Sequence, residues 1–199
     1  GTIDLNDETI SNNDYLYRIL LEEVNIRNAN KLKDFKKASR LKQLTFDETR
    51  ITDGLKWQLS KLKEFDFALK RQNIFIVGDC STGKTSLAST IGIKALEKGA
   101  KVIYITLDDL LVESKIKKKV WNNILNADLV IIDDVFYIAP TEEELVLIYK
   151  ILMFLQETRS IILVTNRPLS SWKEMKCDSH LMETLQKRLM QDAQIISLA

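Results

Sequence analysis

Cysteine and histidine are nearly absent from this chain: Cys80, Cys177 and His180 are the only ones among 199 residues. Two cysteines fit neither a disulfide framework nor a zinc site, and a lone histidine offers a metal no partner, so reduced thiols and no structural metal are expected. Long hydrophobic runs are missing as well. No apolar stretch approaches the roughly 18 to 20 residues that cross a bilayer, and the N-terminus lacks the basic-then-apolar order of a signal peptide. No membrane contact is therefore expected, and the cytoplasm is the expected compartment. The first residue is Gly1 rather than methionine, which implies that the ends differ from the natural ones. There is no overall excess of either charge, with 29 Lys and Arg against 28 Asp and Glu and a net charge of +1.

What is present is ordinary for one globular domain: 45% hydrophobic and 29% charged residues, enough to bury one core. The near-neutral total hides segregation. Between positions 27 and 42 stand Arg27, Lys31, Lys33, Lys36, Lys37, Arg40 and Lys42 against the single acid Asp34, a stretch able to present a positive face to phosphates. A second run is Lys115, Lys117, Lys118 and Lys119. Either run can also be a solvated helix face, so charge alone leaves nucleic acid open.

Leu16, Ile19, Leu20, Val24, Leu32 and Phe35 recur at helical spacing, which predicts one or two amphipathic helices over residues 13–38. A further helix is expected with Asp53 as its cap and Leu55, Leu59, Leu62 and Leu69 on one stripe. From Asn73 the pattern changes to short β-branched runs at 74–77, 102–105, 129–132, 161–164 and 195–198. Near-continuous apolar runs are what a parallel sheet covered on both faces requires, and the segments between them supply right-handed crossovers. The expected fold is α/β: a three-layer core with a five-stranded parallel sheet over residues 73–199, preceded by a basic helical segment over residues 1–72. Within the core, a helix over 86–98 is expected to end at Gly99, and another to begin near Thr141.

Gly78, Asp79, Cys80, Ser81, Thr82, Gly83, Lys84 and Thr85 match the phosphate-binding Walker A pattern G-x-x-x-x-G-K-[ST], directly after a strand and opening a helix. There the glycines let backbone N–H groups curl around a β-phosphate, and the helix N-terminus, with Ser86 in its first turn, adds positive potential. Lys84 is expected on the β- and γ-phosphates and Thr85 on Mg²⁺. The strand over 129–132 delivers Asp133 and Asp134 at its C-terminal end, where ligands of open α/β sheets bind. Asp133 is expected to hold Mg²⁺, partly through water, and Asp134 to polarise the attacking water, although it is also a reasonable helix cap. Asn166, in Thr165-Asn166-Arg167-Pro168 after the 161–164 strand, is placed to reach the γ-phosphate or the lytic water; it can also simply turn the chain. No Asn-Lys-x-Asp base-reading motif stands at that tip, so guanine specificity is unsupported.

In their order these pieces resemble the IstB-like family of transposition ATPases and, more distantly, the DnaC-type helicase loaders, both in the initiator clade of AAA+ proteins. The likeness runs from Leu20-Leu21-Glu22-Glu23 and Arg27 through Phe65 and Lys84-Thr85-Ser86-Leu87-Ala88 to Tyr137-Ile138, Thr165-Asn166-Arg167-Pro168 with Trp172, and Arg188-Leu189-Met190. The resemblance implies ATP and Mg²⁺ as cofactors, hydrolysis stimulated by DNA and assembly, and Arg188 as an arginine finger acting on a neighbouring copy; slow hydrolysis is expected from Asp134 in place of the longer Glu. It implies an ATP-dependent homo-oligomer that grips duplex DNA nonspecifically and serves a partner transposase. Lys31, Lys33, Lys36, Lys37 and Arg40, with Lys117, Lys118 and Lys119, are the candidate DNA contacts. Three positions depart from the family pattern: Asp134 stands for the usual Glu, Phe136 for a frequent Gly, and Cys80 for a frequent Pro or Gly. A helicase loader, whose partners would be single-stranded DNA and a replicative helicase, is the alternative. A small P-loop kinase would need an arginine-rich lid, and none is visible.

Overall fold

The computed structural model describes residues 11–67, 69–116 and 118–198. They fall into two compact units, the first ending at Asp34 and the second beginning at Phe35. The second unit thus takes in residues 35–72, which the composition groups with the basic segment. Among the described residues no helix is long and apolar enough to cross a membrane.

The first unit holds most of helix α1 (Asn12–Ser39). Ser11 opens it, its hydroxyl accepting from the Asp14 N–H at 3.2 Å, and an exposed Glu23–Arg27 pair at 2.7 Å supports it one turn apart. The helical spacing therefore does form a helix, one rather than two. Its apolar stripe is nonetheless exposed at Leu16, Ile19, Leu20 and Val24, so periodicity marks the face without supplying a core for it.

The second unit is built on strands β1 (Asn73–Gly78), β2 (Val102–Thr106), β3 (Leu129–Asp133), β4 (Ser160–Thr165) and β5 (Gln194–Leu198). All pairings are parallel, in the order β2-β3-β4-β1-β5. Helices α2 (Asp53–Glu64), α3 (Lys84–Glu97), α4 (Leu107–Ile116), α5 (Lys119–Leu125), α6 (Glu142–Thr158) and α7 (Ser179–Met190) make the connections or precede them. Alternating side chains serve two layers. Phe75, Val130, Ile132, Ile161 and Leu163 share a core with apolar residues of α4, α6 and α7, whereas Ile131 points at Gly92 of α3. Covering both faces explains why the runs in β1, β3 and β4 are apolar without alternation. β5 is the exception: it lies on the sheet edge, with Ile195 and Ser197 exposed and Ile196 and Leu198 buried, so it is half-buried rather than fully covered.

Local chemistry sets most boundaries. Gly99 takes φ of 89° just past α3, the left-handed geometry that glycine adopts without steric cost. Thr141 caps α6 in a reciprocal box with Glu144. At α2 the cap is Thr52, whose hydroxyl accepts from Leu55 N, and Asp53 is the first helical residue instead. The helix stops at Glu64, leaving Leu69 outside it and exposed, while Leu59 and Leu62 are buried as the stripe requires.

Candidate functional site

Three strand tips converge at the C-terminal edge of the sheet. β1 ends at Gly78, where a Cβ would lie 2.3 Å from the Leu198 carbonyl oxygen of the neighbouring strand, so only glycine fits. The chain then turns through Ser81 at φ 65° and Gly83 at φ 89° before α3 begins at Lys84. Thr82 donates its hydroxyl proton to the Asp79 carbonyl at 2.9 Å, and the Lys84 ammonium donates to that same carbonyl. The loop is thereby closed on itself, with its lysine folded across it. Cys80 and Ser81 are exposed, and Ser86 sits in the first turn of the helix.

β3 brings Asp133 to the same edge. This carboxylate is buried, yet its oxygens are engaged: Oδ2 accepts from the Thr85 hydroxyl at 2.8 Å and from the Tyr104 hydroxyl, and Oδ1 accepts from the Asp134 backbone N–H at 2.9 Å. Burial and the facing Asp133 carboxylate push the Tyr104 phenol upward, keeping it a donor. Asp134 stands out of the strand at φ 55°, exposed; partial desolvation first, and the charge of Asp133 second, raise its carboxyl above the ordinary range. The Asp133 carboxylate and Thr85 hydroxyl form a pair of hard oxygen donors, a set that suits Mg²⁺, which commonly takes one or two protein oxygens and fills the rest with phosphate and water. Among the described residues there is no cluster of three or more His, Cys, Asp or Glu for a protein-only metal site.

β4 supplies the third tip. Thr165 donates to the Val135 carbonyl at 2.8 Å, tying the loop after β3 to the strand. Asn166 points its amide at Cys80 Sγ, 3.6 Å away in the P-loop. Arg167 donates to the Tyr137 carbonyl at 3.2 Å. The loop after β3 also explains Phe136. That residue has φ of 56°, a conformation costing an L residue about 1–2 kcal/mol, which accounts for glycine at this place in the family pattern. Here the ring is fully buried and meets Trp172 edge-on at 4.7 Å, and burial of an aromatic side chain more than offsets the strain.

Beside the P-loop lies a cleft of about 800 Å³ walled by Thr45, Phe46, Asp47, Ile51, Thr52, Leu55 and Gln58 on one side and by Cys80, Thr82, Gly83, Ser86, Ile195 and Leu198 on the other. Phe46 packs against Gly83, where a Cβ would be 3.0 Å from the ring. Sequence reasoning gave residues 45–58 no part in the site, because they carry no motif and meet the loop only after folding. The signal that was present was a helix cap region placed shortly before the first strand.

Other expected residues lie elsewhere. Arg188, exposed near the end of α7, has its guanidinium 5.9 Å from the Tyr149 ring centre and lines a cleft with Arg71, Asn73 and Gln156 at the opposite, N-terminal edge of the sheet. Within one copy it is not brought to the P-loop. Lys36 and Lys37 end α1, Arg40 stands 4.0 Å from Asp109, and Lys118 and Lys119 are exposed where α5 begins. Lys31 and Lys33 belong to the first unit, and Lys117 lies outside the described residues.

The chain resembles the ATP-binding protein of insertion sequence IS5376 from Geobacillus stearothermophilus, with 28% identity over 95% of this chain and 79% of the relative. It resembles an IS21-like insertion sequence ATP-binding protein from Bacteroides fragilis at 31% identity, over 71% of this chain and 56% of the relative. The chain thus spans between about half and four fifths of the length of such curated relatives. In structure it is similar to the DnaC helicase loader, with a TM-score of 0.61 and 19% identity over 84% of this chain and 99% of that one. It is also similar to AMPPCP-bound DnaA from Aquifex aeolicus, with a TM-score of 0.61 and 23% identity over 80% of this chain and 51% of that one. These likenesses establish an α/β fold shared with the DnaA and DnaC proteins. Residues 2–199 match the IstB-like ATP binding protein family, and the chain belongs to that family.

Proposed function

We propose that this protein binds and hydrolyses ATP with Mg²⁺ and works as an ATP-controlled, DNA-bound oligomer that assists the transposase of an insertion sequence. The observation that carries the reading is the Thr85 hydroxyl on the Asp133 carboxylate at 2.8 Å, which joins the end of the P-loop to the tip of β3. In this reading residues 78–86 cradle the phosphates, the cleft lined by residues 45–58 receives the base and sugar, and Lys84 leaves the Asp79 carbonyl to meet the β- and γ-phosphates. Thr85 and Asp133 would hold Mg²⁺, which when bound neutralises phosphate charge. Asp134 takes a proton from the attacking water as its oxygen bonds to the γ-phosphorus, the bond from that phosphorus to the β–γ bridging oxygen breaks, and ADP and phosphate result. With its carboxyl raised above the ordinary range, Asp134 is a better proton acceptor than an ordinary aspartate, while its side chain is one methylene shorter than that of Glu. Asn166 orients the water or the γ-phosphate.

Arg188 is too remote from the P-loop of its own copy and acts on the nucleotide of a neighbour, so that turnover depends on assembly. Duplex DNA is held through its backbone by Lys31, Lys33, Lys36, Lys37 and Arg40, with Lys117, Lys118 and Lys119 as a second patch, and affinity falls steeply with salt. The experiment is ATP turnover without DNA, with duplex DNA and with single-stranded DNA, and sedimentation of the same samples at low salt. Duplex-dependent assembly and turnover are expected. Preference for single strands would favour the helicase-loader reading, and a monomer indifferent to any DNA would defeat both.

A further inference from the structure

The segment between α1 and α2 forms a strap past α3 and the P-loop, anchored at several points. Ser39, fully buried, donates to the Lys36 carbonyl at 2.8 Å and accepts from the Leu41 N–H at 3.2 Å. Arg40 turns the chain at φ 57° and faces Asp109. Leu41 packs on Gly92 of α3 so closely that a Cβ there would be 2.9 Å from its methyl group. Phe46 sits on Gly83 of the P-loop. Lys42 lies between these anchors, and its ammonium is 5.3 Å from the centre of the Tyr104 ring, whose hydroxyl donates to Asp133.

Nothing in the family pattern assigns Lys42 a role, and its place in a basic run made it one solvated lysine among several. The fold separates it from that run. Its ammonium is held by a ring face rather than by an ion pair among the described residues, an interaction of about 0.5–1 kcal/mol at an exposed site, weak enough to be exchanged for a better partner. The Tyr104 and Thr85 hydroxyls meet on the same Asp133 oxygen, so the ring beneath Lys42 borders the end of the P-loop. The acidic strand tip is therefore bordered by an ammonium of the strap through the Tyr104 ring, as well as by the P-loop residue Thr85, which follows Lys84. A nucleoside triphosphate differs from a diphosphate by the charge placed beside these same carboxylates, and an adjacent cation favours that added charge.

We infer that Lys42 is a second phosphate cation of the site, delivered in cis by the strap, which contacts the terminal phosphate of a bound nucleoside triphosphate and so distinguishes ATP from ADP. This rests on the ATP-binding reading above. The test uses the full chain with Mg²⁺ and fluorescent N-methylanthraniloyl derivatives of ADP and of the non-hydrolysable β,γ-methylene triphosphate. Lys42→Gln is expected to weaken the triphosphate about tenfold and the diphosphate by less than about twofold, with Lys42→Arg restoring most of the difference. Equal weakening of both nucleotides would mean that Lys42 only steadies the strap, and unchanged affinities for both would mean that it does not reach the phosphate; either result overturns the inference. Wild-type protein that binds neither nucleotide would defeat the ATP reading itself, a failure distinct from wild-type binding that Lys42→Gln leaves intact.

Discussion

The two edges of one parallel sheet are finished very differently. At the C-terminal edge, the Asp133 carboxylate accepts from Thr85, Tyr104 and the Asp134 backbone, and Asn166 reaches across to Cys80. At the N-terminal edge, Arg71 and Arg188 line a cleft of about 740 Å³ together with Asn73 and Gln156. There Asn73 Oδ1 and Gln156 Oε1 have no protein hydrogen-bond partner among the described residues. One edge is organised by the chain's own strand tips; the other leaves cationic and polar groups unmatched. A single copy thus gathers the P-loop, the acidic tip of β3 and Asn166 at one edge and leaves Arg188 at the other.

Substitutions at either edge put this contrast to the test. The largest effect is expected from Arg188→Ala: steady-state turnover drops about a thousandfold or more, while ATP affinity is unchanged. Mixing this variant with Lys84→Ala, which keeps its own Arg188, should recover part of the activity; mixtures no more active than the separate variants would return Arg188 to the role of a surface residue. Asp134→Asn should lower single-turnover hydrolysis by about 10²- to 10⁴-fold with nucleotide binding retained, and a rate equal to wild type would move the base elsewhere.

Phe136→Ala tests how the organised edge is held. Losing the fully buried ring from Trp172 should cost about 3–5 kcal/mol in a denaturant melt. A value below about 1 kcal/mol would show that the surroundings of Trp172 collapse into the vacated space, since alanine keeps the left-handed strain.

The smallest effect is expected at the start of α6. Thr141→Ala should cost about 1 kcal/mol. The Thr141 backbone and side chain hold the Glu144 carboxyl below its ordinary value of 4.5 in the folded state. That contribution is therefore full above the unfolded value and disappears as pH falls through the lowered folded one. Being largely exposed, the group contributes only modestly. Glu144→Gln should flatten this acid-side dependence of the melting temperature, and an unaltered pH profile would exclude the box as its source.

Features governed by near neighbours were legible in the sequence. All five strands fall where the β-branched runs lie, Thr141 begins α6, and Gly99 follows α3. The P-loop and the acidic pair occupy the strand tips at which the pattern placed them. Misreadings arose where two local solutions compete or where a pattern does not say what it faces. Thr52 and Asp53 are both good caps, and the backbone selects Thr52 by leaving it in extended geometry at ψ 155°. The Leu16, Ile19, Leu20 and Val24 stripe has helical spacing, yet spacing carries no information about a covering surface, and these residues are exposed. Lys42 counts in the sequence only as a member of the basic run and Phe46 carries no motif, because their neighbours Tyr104 and Gly83 are remote in the chain.

Fold class, the Walker A pattern, the acidic strand tip and the family can be read along the chain, because they depend on periodicity and on residue types a few positions apart. That Thr85, Tyr104 and Asp133 meet, that residues 45–58 wall the cleft beside the P-loop, and that Arg188 stands at the far edge of the sheet are outcomes of folding. The physical reason is that such contacts join segments tens of residues apart. Their geometry is set by strand order and helix packing, which side-chain chemistry along the chain does not encode locally.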